Sequence, residues 1–337
     1  MRIEYKIIVI VLISLVLGMV VGYFIGSIYE RGILVQNLNM IKPIREHNPE
    51  YKFISPLLAY VIPSAEQSDN LISLKNNISN FINAKKVKGD LTDASLFFYD
   101  LNRGRWIGVN EQQKYSPASM LKVVIMVSYF KKAETNPNIL NESLAYTNTV
   151  DDLIKKDSFN ALSGLKINKS YSILQLIEKM IIDSDNGAEI LLLQNIDKSS
   201  LDSIYSVLNI DNPDDAIESF VISPRTYSLF FRIIYSATYL NREMSERALD
   251  ILSKTNFNEG ITAGLPTNII TAHKFGEYVT VTGNELRSVE LHDCGIVYYP
   301  TNPYFVCIMT KGGDINKLKA AIKNISNLVY QNYGSLK

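Results

Sequence analysis

Cysteine is scarce in this chain of 337 residues: only Cys294 and Cys307 occur. Two cysteines exclude a disulfide framework, and no CxxC spacing is present to hold a metal or run redox chemistry. An excess of either charge is also missing. Thirty-four Lys and Arg balance thirty-four Asp and Glu, so nothing points to nucleic acid or to a strongly acidic partner. Internal repeats and low-complexity tracts are absent too. What remains is 47% hydrophobic and 20% charged, ordinary values for a chain that buries a core.

One segment is far from ordinary. Residues 7–26, IIVIVLISLVLGMVVGYFIG, carry no charge. About 20 helical residues at 1.5 Å each cover the roughly 30 Å hydrocarbon layer of a bilayer. A cleaved signal would have a shorter apolar stretch and a small-residue cleavage site, whereas SIYERG follows here. The expectation is a single-pass membrane anchor within residues 1–28. Arg2 and Lys6 before the run favour an inside N-terminus and an extracytoplasmic remainder at the cell membrane. Residues 29–70 lack a sustained period and read as a spacer. Within them YKFISPLLAYVIP (51–63) is too apolar to be freely solvated, so it is expected to lie on the folded domain or the membrane surface.

Residues 71–337 show regular patterns. Leu71, Ile72, Leu74, Ile78, Phe81 and Ile82 fall at helical spacing. ASLFFYDLN and RWIGVN read as a hairpin around Asn102-Arg103-Gly104. The stretch from about 134 to 256 reads as mainly helical, with a capping box at Ser172 and Gln175. Three strands and a last helix close the chain. This order predicts an α/β sandwich, a mostly antiparallel five-stranded sheet flanked by helices, plus an all-α lobe set beside it. A substrate cleft belongs between the two.

Three short patterns can carry chemistry: Ser119-Met120-Leu121-Lys122, Ser184-Asp185-Asn186 and Lys274-Phe275-Gly276. Each spacing is cheap, since Ser128–Lys131, Ser163–Lys166, Ser68–Asn70 and Lys311–Gly313 repeat them. Context separates the copies. Ser119 falls where a loop turns into a helix, with Lys122 one turn on and on the same face. A serine hydroxyl needs a base to become a nucleophile, and a desolvated lysine can serve. Ser184 and Asn186 sit between two apolar helices and can relay a proton and orient a substrate. Lys274 lies on a strand, Gly276 permits close approach, and the Glu277 N–H can donate to an oxyanion. By strand alternation His273 points to the opposite face, a structural position. His292, Cys294 and Cys307 do not supply a metal's four ligands; a buried cysteine pair fits better.

Taken together, YSPASMLK (115–122), the SDN segment, SPRTYSLFF, and AHKFGE followed by HDCGIVYY and YFVCIMTKG resemble the class A β-lactamases and related penicillin-binding serine hydrolases. The resemblance spans roughly residues 71–337. It implies a β-lactamase/transpeptidase-like fold and no cofactor. It also implies acylation of Ser119, proton transfer by Lys122 and Ser184, and amide contact by Asn186. Lys274 would attract a substrate carboxylate, beside Gly276, and the N–H groups of Ser119 and Glu277 would hold the oxyanion.

Two positions depart from that family. Phe275 stands where a hydroxyl residue normally helps bind the carboxylate. The segment SVLNIDNPDDAIESFVISPR looks shortened, and Glu218 is followed four residues on by Ile222 rather than Asn. Asp214, Asp215 and Glu218 are substitute candidates for activating the deacylating water, but solvated loop carboxylates are the favoured reading. The expected function is therefore a membrane-anchored serine hydrolase that is acylated at Ser119 by a β-lactam or a D-Ala-D-Ala-like peptide, with turnover open. The alternative is a catalytically impaired cell-envelope binding module on the same fold.

Overall fold

A computed structural model describes residues 22–23, 42–46, 48–61, 69–157, 163–213, 220–282, 285–300 and 302–334. The anchor expected at residues 7–26 lies outside these, except for Gly22 and Tyr23. Among the described residues no helix is long and apolar enough to cross a membrane.

The chain begins with a small antiparallel pair, β1 (Lys42–Arg45) and β2 (Leu57–Val61). Helix α1 (Asp69–Val87) follows, then the hairpin β3 (Asp93–Asp100) and β4 (Trp106–Val109). The helical lobe contains α2 (Lys122–Ala133), the pair β5 (Ser143–Tyr146) and β6 (Lys169–Ser172), α3 (Asn148–Asp157), α4 (Ile173–Ile182), α5 (Asn186–Gln194) and α6 (Lys198–Leu208). Helices α7 (Pro224–Tyr235) and α8 (Arg242–Leu252) lead back to β7 (Thr271–Thr282), β8 (Glu285–Val297), β9 (Tyr304–Gly312) and α9 (Ile315–Tyr333).

The main sheet runs in the order β4-β3-β9-β8-β7 and every pairing is antiparallel. Its central strands read as unbroken apolar runs because both faces are covered. Leu96, Phe98, Val306 and Ile308 pack under α1 and α9. Phe97, Tyr99, Phe305 and Met309 turn the other way, into the core shared with the helical lobe. On α1 the spacing of Leu74, Ile78 and Ile82 buries one face completely, worth about 1.5–3 kcal/mol for each side chain. The capping box at Ser172 and Gln175 is present at the start of α4. The architecture is the antiparallel sandwich with a helical lobe that the sequence pattern predicts.

Two findings correct or extend the sequence reading. Within the spacer of residues 29–70, the apolar run from Tyr51 lies on the folded domain, one of the two places expected for it, and Arg45 is tied down with it. Phe53 and Ile54 are buried, Glu246 accepts the backbone N–H groups of Lys52, Phe53 and Ile54, and Arg45 donates to the carbonyls of Leu101 and Ser55. Here the backbone is held by side chains of the body, which no local periodicity reveals. The second finding is that Cys294 and Cys307, directly opposed on β8 and β9, form a disulfide. His273 is structural, as alternation implied: its Nδ1 pairs with Asp293 at 2.8 Å in the buried interior.

Candidate active site

Ser119 lies at the junction of lobe and sheet, but not in the first turn of an α-helix. It stands in a 3-10 turn, Ala118–Leu121, and α2 begins only at Lys122. In 3-10 geometry residues i and i+3 eclipse, so the turn stacks Ser119 and Lys122 on one side. Ala118, just before the serine, has φ of 47°, a left-handed conformation that costs a side-chain-bearing residue about 1–2 kcal/mol.

The surroundings hold this turn from every side. Glu290 accepts the Ser116 N–H at 3.0 Å, and His292 Nε2 meets the Ser116 carbonyl at 3.0 Å. Because His292 Nδ1 accepts from the Thr310 amide, its ring proton sits on Nε2 and donates to Ser116. Tyr115 exchanges both backbone bonds with Ile222, and Tyr227 Oη donates to the Met120 carbonyl at 2.9 Å. Sequence reasoning missed Glu290 and His292 as anchors of the nucleophile loop.

Strand β7 passes under the same turn. A Cβ on Gly276 would stand 2.5 Å from the Pro117 carbonyl oxygen and 3.0 Å from Met120 Cγ, so only glycine lets strand and turn meet. The register also fixes where the β7 amides point. The Cα atoms of Cys294 and Cys307 are 4.0 Å apart, the close spacing of a non-hydrogen-bonded pair. Cys294 therefore turns its own N–H and C=O toward Lys274 on β7, and His292 does the same toward Gly276. The intervening Phe275 and the following Glu277 direct theirs off the free edge of the sheet. That is the orientation an oxyanion donor at Glu277 requires.

Ser184 enters from the link between α4 and α5, again with a left-handed backbone, φ 57°. Asp185 secures the link by accepting from Ser163 Oγ, the Gly164 N–H and the Ala188 N–H. Two lysines converge on Ser184. Lys122 Nζ reaches its carbonyl at 2.7 Å and its Oγ at 3.3 Å, and also meets Asn186 Oδ1 at 2.6 Å. Lys274 Nζ donates to Ser184 Oγ at 2.9 Å and to the Phe275 carbonyl at 3.2 Å. Both lysines have 0% exposure. Burial pushes the Lys122 amine below its ordinary value of 10.5, with Glu189 opposing the shift. Lys274 is lowered further, first by burial and then by the Lys122 charge. A third residue missed from the sequence is Glu189, whose Oε2 lies 3.3 Å from Lys122 Nζ.

The turn brings Ser119 to Lys122, and Lys122 joins Ser184, Asn186 and Lys274 into one connected set beside Gly276 and Glu277. Among the described residues no hydrogen bond joins Ser119 Oγ to Lys122. Phe275 turns its ring onto Phe257, centroids 4.2 Å apart, and places no hydroxyl beside Lys274. Asp214, Asp215 and Glu218 lie outside the described residues. A serine, two amines of depressed basicity and outward N–H groups suit acyl transfer: attack, proton relay and oxyanion support.

The chain is similar to known proteins over most of its length. Residues 73–333 match the model of the β-lactamase enzyme family. A β-lactamase of Streptomyces fradiae is 22% identical over 225 residues, 61% of this chain and 69% of that protein. The solved structure of PBP-A is 25% identical with a TM-score of 0.65, covering 79% of this chain and 97% of that one. A class A β-lactamase from Mycobacterium abscessus shares the fold, with a TM-score of 0.63 and 15% identity over 76% of this chain and 99% of that one. The chain is a β-lactamase-like serine hydrolase by descent and belongs to the β-lactamase enzyme family.

Proposed function

We propose that Ser119 is acylated by a β-lactam or a D-Ala-D-Ala-like peptide, and that the acyl group leaves slowly. The observation that carries this reading is Ser184 Oγ, held by both Lys122 and Lys274 at the mouth of the Ser119 turn. Lys122 in its neutral form takes the Ser119 proton as Oγ attacks the carbonyl carbon. The oxyanion is met by the N–H groups of Ser119 and Glu277. Ser184 passes a proton to the leaving nitrogen as the C–N bond opens, while Asn186 steadies the substrate amide. Lys274 supplies positive potential for a substrate carboxylate, without help from a hydroxyl at Phe275. A PBP-A variant has been solved as an acyl-enzyme with penicillin G, which supports the same capacity here.

We further propose that residues 7–26 tether the protein to the cell membrane with the hydrolase outside. The disulfide between Cys294 and Cys307 supports an oxidising compartment. Membrane fractionation with protease protection tests this, and full digestion only after cell lysis would reject it.

The catalytic reading is tested with the full chain in detergent, a fluorescent penicillin and intact-mass spectrometry, with Ser119→Ala as control. A serine-dependent adduct that persists for many minutes is the expected result. A folded protein with no adduct removes the reading, and rapid release of hydrolysed product removes slow deacylation.

A further inference from the structure

The Lys122 amine is paired with a carboxylate that the three short patterns do not include. Glu189 stands in the first turn of α5, three residues after Asn186. That spacing puts both side chains on one helix face, and both reach Lys122, at 2.6 Å and 3.3 Å. The Glu189 side chain is 24% exposed. It borders a cavity of about 280 Å³ that Leu121, Lys198, Asp202 and Tyr205 also line. One carboxylate oxygen thus faces a fully buried amine while the group keeps access to solvent.

We propose that Glu189 is a positioning residue that acts through Lys122: it is the counter-ion that holds the amine in line and stabilises the ammonium formed when Ser119 gives up its proton. In acylation the proton leaves Ser119 Oγ for Lys122 Nζ. The Oγ–carbon bond forms and the carbonyl electron pair moves to oxygen. Glu189 stays a carboxylate throughout and faces the new ammonium. The oxyanion pair then re-forms the carbonyl, the C–N bond breaks, the proton passes by way of Ser184 to the leaving nitrogen, and Lys122 is neutral again. Without Glu189, a buried lysine would be neutral but a feeble proton acceptor, because only the weaker influence of Asp185 would compensate its charge.

The other groups that face this pair are few. Asp185, at the start of α5, adds a weaker negative influence on Lys122, and Lys274 opposes it from β7. Lys198, Asp202 and Tyr205 of α6 share the cavity with Glu189. The faces of α4 and α8 that meet α2 belong to the apolar core.

The inference rests on the acyl-enzyme reading, so its test needs one measurement that does not. In the full chain, lysine 13Cε labelling follows the titration of Lys122, assigned by its loss in Lys122→Met. The Lys122 titration is expected at lower pH in Glu189→Gln than in wild type, and near wild type in Glu189→Asp. Coinciding titrations in wild type and Glu189→Gln overturn the proposal, whether or not the protein acylates. With a β-lactam, Glu189→Gln should acylate about tenfold more slowly at its plateau, with the acid limb of the rate profile moved to lower pH. An unchanged plateau and limb also overturn it. Loss of the adduct in wild type alone would reject the acyl-enzyme reading and leave the titration to decide the role of Glu189. If Glu189→Gln does not fold, Glu189→Asp decides: a titration moved to lower pH, as though the carboxylate were gone, refutes the counter-ion role.

Discussion

Lys274 spans the cleft to Ser184, its Nζ 2.9 Å from the serine Oγ, and shares that hydroxyl with Lys122. A hydroxyl held between two amines can take a proton from one side and deliver it on the other. Ser184→Ala removes the relay and leaves both lysines facing each other across a gap. The acylation rate should fall about a hundredfold, read by stopped-flow binding of a chromogenic β-lactam. A rate within twofold of wild type would remove Ser184 from the proton path.

The two amines also make stability depend on pH. Burial lowers both native values below 10.5, so the unfolded chain binds more protons between the depressed values and 10.5. Stability therefore rises with pH through that window and the cost is fully present below it. Urea midpoints should climb as pH rises from the depressed native values toward 10.5. Lys274→Met should flatten the slope, and an equal slope in that variant would contradict the assignment.

Gly276→Ala should be damaging out of proportion to its size. The added methyl would meet the Pro117 carbonyl at 2.5 Å, a backbone atom that cannot swing aside. Turn and strand must part, taking the Ser119 and Glu277 N–H groups out of alignment. Acylation should drop about a hundredfold while far-ultraviolet circular dichroism keeps its wild-type form. Full activity in this variant would mean that the two elements do not need to touch.

The disulfide makes a prediction about folding rather than chemistry. Cys294 and Cys307 are 13 residues apart, and closing a loop of that size constrains the unfolded chain by about 3 kcal/mol. Reduction, or the paired change Cys294→Ala and Cys307→Ala, should lower Tm by roughly 5–10 °C. Serine-dependent acylation should survive at low temperature, because both sulfurs are buried in the core. An unchanged Tm would show that the bridge adds nothing to the native state.

Much of this was legible in the chain. Period and turn signals located α1, the β3–β4 hairpin, the capping box at Ser172 and the last three strands, because each is dictated by residues close in sequence. The order of the three short patterns singled out Ser119 from its copies. Glu189 went unseen, although its spacing of three from Asn186 on one helix was available as a signal. The anchoring of Ser116 by Glu290 and His292 was not readable, since it joins residues more than 170 positions apart. The same holds for the disulfide: a strand buried on both faces shows no alternation to reveal its register. Phe275 was read as a missing hydroxyl; only the structure gives its reason, a ring stacked on Phe257.

The strap formed by residues 42–61 has a practical consequence. Tyr298 Oη donates to the Phe53 carbonyl, and Glu246 and Arg45 fix the chain on either side of it. A fragment begun at residue 71 would strip away both short strands, uncover the seat of Phe53 and leave the Glu246 carboxylate facing water. A shortened form, whether cut by a protease or designed at the bench, keeps this strap whole only when the cut falls upstream of Lys42.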